Sequence, residues 1–260
     1  MPFALPRRRV AALALCLAAL SPLTACGSGG DSDGDDGGGR TQLTVLAAAS
    51  LTDVFAKVGA AYEREHPKVR VRFSFAGSQD LAAQVRQGAP ADALVTADLP
   101  TMRGLRGDTG ELSVIARNRL VIAVGEGNPQ HVKTLRDLTK PDLKVVLAAP
   151  EVPVGRYSKA VLDSADLDVK PVSQEPSVRA VLSKVTLGEA DAGLVYVTDA
   201  ATAPDRVDTV AIPDAQNAVA TYPAAPLTAS RHSEQAASFV RWLTSPTAQK
   251  MLRAAGFQRP

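Results

Sequence analysis

From Gln42 onward, short apolar runs alternate with stretches whose apolar residues recur every three or four positions. The short runs, at 43–47, 69–75, 93–96, 120–124, 145–148, 193–196, 207–212 and 220–227, are rich in Val, Leu and Ala and predict β-strands. The amphipathic stretches, at 51–65, 79–87, 157–164, 178–187, 234–243 and 247–255, predict helices. Gly88 and Gly188 each follow a predicted helix and suit its C-terminal cap. Strands alternating with helices in this way predict an α/β fold built on mainly parallel sheets.

Parallel α/β sheets bind ligands where strands end and helices begin, so these junctions hold the candidate chemistry. After the first strand comes Ala47-Ala48-Ala49-Ser50-Leu51-Thr52-Asp53. Ser50 is placed to cap the first helix, with Asp53 as its capping-box partner. The same helix start can receive an anion on its free N–H groups. After the second strand comes Ala76-Gly77-Ser78-Gln79; later junctions carry Pro153-Val154-Gly155, Ser177-Val178-Arg179 and Tyr196 before Thr198-Asp199. Hydroxyls and backbone N–H groups dominate these turns, with Arg156 and Arg179 adjacent. Asp92 and Asp98 flank a strand and read as solvated loop acids.

The residues before Gln42 differ in kind. Arg7–Arg9 precede an apolar run over 10–20, and Leu23-Thr24-Ala25-Cys26 follows. Residues 1–25 read as a secretory signal, too short and too broken by Pro22 to span a bilayer. Residues 27–39 contain only glycine, serine and aspartate and read, with Cys26 and Arg40, as a flexible tether with an r.m.s. span of roughly 20 Å. Removal of residues 1–25 takes away Cys16 and three arginines, leaving one cysteine and 26 basic against 27 acidic residues. An exported domain without an internal disulfide relies on its hydrophobic core. No basic cluster beyond the signal suits nucleic acid.

Enzyme chemistry finds little support. His66, His131 and His232 are isolated, and no paired-cysteine, H-E-x-x-H, G-x-S-x-G or phosphate-loop motif is present. A secreted α/β enzyme acting on a phosphorylated or acidic substrate would lack a nucleophile–base pair and a metal cluster. A sensory module reporting anion level to a membrane partner would lack a partner domain in this sequence.

Five segments taken in order are similar to the molybdate-binding proteins of bacterial ABC importers: Ala47–Thr52, Ser74–Ser78, Gly88–Asp92, Val152–Gly155 with Tyr157, and Val195–Ala200. Leu23–Cys26 likewise resembles the lipobox of bacterial lipoproteins, in which the cysteine is lipidated. The resemblance runs from Gln42 to Phe257 and implies a two-lobed, class II periplasmic-binding-protein-like fold with its ligand in the interlobe cleft. The first lobe would combine residues 41–123 with 218–260, and the second would span 124–217.

Carried over residue by residue, the resemblance implies an oxyanion site of Ser50, Ser78, Val154, Val178 and Tyr196. The serines would donate through hydroxyl and N–H, the valines through N–H alone, and Tyr196 through its phenol. Gly77 and Gln79 depart from a serine-rich form of the second loop. The resemblance further implies capture of molybdate and tungstate, no catalysis and no cofactor. The molybdenum would be held only as its oxyanion. It also implies a monomer that hands its ligand to a permease with a cytoplasmic ATPase, and a lipid anchor at Cys26 on the outer face of the membrane. A fully deprotonated tetrahedral dianion only accepts hydrogen bonds, which suits a site of donors. Hydrogen phosphate would want an acceptor, whereas sulfate differs from molybdate chiefly in size.

Overall fold

The computed structural model describes residues 39–260, which form a compact unit with its own core. The signal segment 1–25, the lipidation site Cys26 and the tether up to residue 38 lie outside the described residues. No helix among the described residues is long and apolar enough to cross a membrane.

Nine strands share one mixed sheet: β1 (Thr41–Ala48), β2 (Val69–Ala76), β3 (Ala93–Val95), β4 (Ser113–Gly125), β5 (Val145–Ala148), β6 (Ser173–Glu175), β7 (Ala192–Tyr196), β8 (Val207–Ala211) and β9 (Val219–Pro226). Their order is β2-β1-β3-β9-β4-β7-β5-β6, with β8 also paired to β4. β1 pairs in parallel with β2 and β3, and β5 with β6 and β7, so each end of the sheet has the strand direction expected of helix-linked units. The middle is antiparallel and belongs to β4. Its Ser113–Arg119 stretch pairs with β9; from Leu120 on it pairs with β7 and β8 instead.

The first half of β4, whose apolar run is only Val114-Ile115-Ala116, and the short polar edge strand β6 are not among the predicted strands. In β4 the buried Ile115, Ala116 and Asn118 are interleaved with Arg117 and Arg119, and a register shift between Val114 and Ala116 interrupts the alternation. All other strands lie within two residues of their predicted bounds.

The helices are α1 (Thr52–Glu65), α2 (Ser78–Arg86), α3 (Leu99–Arg103), α4 (Pro153–Ser164), α5 (Val178–Thr186), α6 (Val197–Ala200), α7 (Ser233–Trp242) and α8 (Pro246–Ala254). α4 starts four residues before its predicted bound, because Pro153 occupies its first turn, where a missing N–H costs nothing. Gly88 (φ 75°) and Gly188 (φ 70°) stand just beyond α2 and α5 in the left-handed region. Their N–H groups return to Val85 and Val185, as expected of glycine helix stops.

β1 is buried on both faces, as a covered parallel strand should be. Leu43, Val45 and Ala47 join the large core with Phe55, Val58 and Tyr62 of α1, while Leu46 joins a smaller core with Leu81 of α2, Leu94 and Met102. The N-terminal ends of α1, α2, α4 and α5 are thereby held at the carboxyl ends of β1, β2, β5 and β6.

Candidate functional site

The turn after β1 is a single 3-10 turn, Ala49–Leu51, followed directly by α1. Ser50 therefore does not cap the helix, and no side chain does. Its hydroxyl instead shares a 2.9 Å hydrogen bond with the Tyr222 phenol, a buried partner from β9. Asp53 does not close a capping box but bonds Arg179. A lone solvent-facing cap loses to these two partners because both come from segments that the sheet brings alongside.

Ser78 is the first residue of α2, and its Oγ accepts from the Ala97 N–H at 3.0 Å. Its own O–H is then free to donate, as is that of Ser50 when Tyr222 donates to it. Val154 lies in the first turn of α4, after Pro153, and Val178 opens α5 behind the N-cap Ser177, whose side chain accepts from Ala180 N–H at 3.2 Å. First-turn N–H groups have no partner within their own helix. Tyr196 ends β7 and precedes α6.

These five residues, Ser50, Ser78, Val154, Val178 and Tyr196, line one small cavity, together with Ala97, Ser177 and neighbouring small residues. All five are buried. The cavity leaves about 10 Å³ for the centre of a water-sized group, near the minimum for a single such group. Tyr196 Oη is buried and has no hydrogen-bond partner among the described residues. An unpartnered buried hydroxyl is costly, and this one belongs to a side chain that lines the cavity. Burial also pushes the Tyr196 phenol well above its ordinary pKa, which keeps it a neutral donor.

None of the described residues lining the cavity is charged. The two nearby cations are already spoken for. Arg156 donates to the buried carboxylate of Asp98 through Nε (2.8 Å) and Nη2, and Arg179 donates through Nε to Asp199 at 2.6 Å. An anion here would be met by hydroxyls, N–H groups and helix N-termini. Asp98 and Asp92 are not solvated loop acids: both are buried, Asp98 on Arg156 and α3, Asp92 on Thr44 N–H and Ser230. Spacing within the chain gives no sign of these partners, because Arg156 lies 58 residues from Asp98.

The Gly77 and Gln79 departures have a structural reason. A Cβ on Gly77 would lie 2.4 Å from the Pro176 carbonyl oxygen, and Gln79 Nε2 donates to that same oxygen at 2.9 Å. The loops before α2 and α5 thus meet too closely for a serine at position 77. Partners of the site that the sequence left unmarked are Tyr222 and Ala97. The alternating residue pattern of a strand or loop does not say which distant residue it will face.

Asp199 carries a testable signature. It is fully buried, one carboxylate oxygen has no partner among the described residues, and burial raises its pKa from 3.8 to about 6 against the pull of Arg179. Between these values the folded chain holds a proton that the unfolded chain has released. The stabilisation is therefore complete below the unfolded value and is lost as pH rises through about 6. Urea unfolding at pH 4.5 and 7.0 should show wild type losing about 2 kcal/mol relative to Asp199→Asn over this interval. Equal pH slopes in the two proteins would contradict it.

The profile of the bacterial extracellular solute-binding protein family matches residues 43–258. A molybdate-binding protein of Mycobacterium tuberculosis is 37% identical over 243 residues, covering 92% of this chain and 93% of that protein. The Azotobacter vinelandii periplasmic molybdate-binding protein superposes with a TM-score of 0.73 at 19% identity, over 84% of this chain and 99% of its own. The sulfate-binding protein SubI of M. tuberculosis does so with a TM-score of 0.74 at 22% identity, over 85% and 87% of the two chains. At such identities the two structures share the fold, a two-lobed arrangement with each lobe built of strands and helices.

Proposed function

Because the chain belongs to the bacterial extracellular solute-binding protein family, with molybdate-binding proteins among its relatives, we propose that it captures molybdate and also tungstate, and delivers them to an ABC permease. Solute-binding proteins of this kind are not enzymes, and the oxyanion is a ligand rather than a cofactor. The observation that carries the reading is the uncharged lining: Ser50, Ser78, Val154, Val178 and Tyr196 bring hydroxyls and helix-start N–H groups to one small cavity without a carboxylate, and Tyr196 Oη is unpartnered among the described residues. A dianion without protons satisfies these donors and asks for no acceptor.

In this reading the lobes are residues 41–123 with 218–260, and residues 124–217. The change of partner along β4 at Leu120 supports a crossover in this stretch, as does the Asn217 side chain, which bonds Leu120 N–H (3.1 Å) and C=O (2.8 Å). The ligand favours the closed arrangement because only there do donors from both lobes reach it. The signal over residues 1–25 and Cys26 in its lipobox support export and a lipid anchor at the outer face of the membrane, and the chain acts as a monomer.

Thermal unfolding tests this directly. Molybdate or tungstate at about 1,000 times its dissociation constant should add ~4 kcal/mol, which for a domain of this size raises Tm by roughly 10 °C. A folded sample that shows no rise refutes the proposal. The same uncharged hydroxyl and N–H lining also suits sulfate, so a competition titration separates the two: excess sulfate should leave bound molybdate in place. A smaller anion that fails to reach every donor leaves buried groups unpaired at about 1–3 kcal/mol each.

A further inference from the structure

Two arginines follow the valine donors of the cavity, and each reaches across to the other part of the sheet. Arg156, two residues after Val154, donates to Asp98 and, at 2.7 Å, to Thr101 Oγ1. Asp98 itself adjoins Ala97, whose N–H holds Ser78 Oγ. Arg179 follows Val178 and donates through Nη2 to Asp53 at 2.5 Å and through Nε to Asp199 at 2.6 Å. Asp53 lies three residues after Ser50, and Asp199 three after Tyr196. Each clamp therefore joins a hydroxyl-donor loop to a backbone-donor loop, one on Ser78 and Val154, the other on Ser50, Val178 and Tyr196. Neither arginine lines the cavity.

We infer that Arg156 and Arg179 are positioning residues for ion capture: they latch the cleft shut beside the anion without touching it, and so set how slowly the ion leaves. This inference rests on the proposed anion capture. The arrangement separates two tasks. The neutral donors choose the ion, and the ion pairs hold the walls at the spacing in which those donors converge. Arg156 is matched by Asp98, and Arg179 faces two acids, Asp53 and Asp199, so neither presents an unpaired cation to the cavity and the latches leave selectivity to the donors. Interactions formed only once the walls have met act mainly on dissociation.

The experiment uses the chain from Gly39 on, which is a compact unit. Both native cysteines, Cys16 and Cys26, precede it, so spin labels on Ala60→Cys in α1 and Ser183→Cys in α5, both exposed, report cleft width. Asp53→Asn removes one latch at an exposed carboxylate, where folding is not at risk; Asp98→Asn weakens the other. Asp53→Asn should release molybdate about fivefold faster, the upper range for a partly exposed ion pair, and Asp98→Asn about thirtyfold faster, the lower range for a buried one. Association rate and the preference for molybdate over sulfate should stay at wild-type values, and label distances should lengthen. Unchanged dissociation and distances in Asp53→Asn overturn the inference. So does slowed association with lost selectivity, which would place the pair in the anion's own field. A wild-type chain that binds no molybdate refutes the proposed function instead; the label distances of the variants against wild type then decide the latch alone.

Discussion

Replacing Ser50 and Ser78 together by alanine is expected to weaken molybdate binding between about thirtyfold and twenty-thousandfold. Each serine faces the cavity from a different loop, and each loses a hydroxyl that no other group replaces. A buried acceptor left unpaired costs about 1–3 kcal/mol, and two such losses add to about 2–6 kcal/mol, or 1.4 kcal/mol per decade of affinity. Some stability goes as well, since Ala97 N–H loses its acceptor and Tyr222 its partner. Unfolding of the ligand-free variant measures that separately from calorimetric titration. A double variant that still folds and binds like wild type would mean that the ion sits elsewhere.

Gly77→Val should block capture while sparing the fold. At φ −58° and ψ 141° the backbone of Gly77 suits any L-residue, so valine brings no conformational strain. The obstacle is Pro176, whose carbonyl oxygen stands 2.4 Å from where the new Cβ would be. That oxygen belongs to the loop before α5, on the opposite wall of the cavity, so this clash exists only while the walls meet; the Gln79 side chain, equally close at 2.4 Å, is flexible and can turn away. The Gln79–Pro176 hydrogen bond is lost with it. The ligand-free variant should unfold within a few degrees of wild type, while its affinity for molybdate falls by about a hundredfold or more, the scale of a pocket that can no longer assemble. Normal affinity in this variant would show that the loops can separate at Gly77 without releasing the ion.

Both variants concern residues of different legibility. Ser50 and Ser78 stand out in the sequence, because a small hydroxyl between an apolar strand and an amphipathic helix has a limited set of uses. Tyr196 is also visible, as an aromatic at a strand end. Val154 and Val178 are not: a backbone donor has no side-chain signature, and only the resemblance to a known family points to them. Gly77 looks like an ordinary loop glycine until Pro176 is seen opposite.

The acids show the same limit from the other side. Asp92 and Asp98 flank a short strand and Asp199 sits in a one-turn helix, positions at which an acid is ordinarily solvated. Each is buried, and Asp98 and Asp199 are held by arginines. Burial of a charge depends on a partner, and here the partners lie 58 and 20 residues away.

By itself the sequence determined the α/β alternation, the helix stops at Gly88 and Gly188, and the supply of neutral donors at the strand ends. These follow from periods of two to four residues and from single-residue backbone preferences, both of which act locally. Only the tertiary structure decided that the turns carrying Ser50, Ser78, Val154, Val178 and Tyr196 line one small cavity, that Tyr196 Oη has no partner among the described residues, and that both neighbouring arginines are paired with acids. Those outcomes depend on which strands pair and in what register, above all on β4 changing partners at Leu120. Pairing over such separations is set by the packing of the whole core, which no local pattern along the chain records.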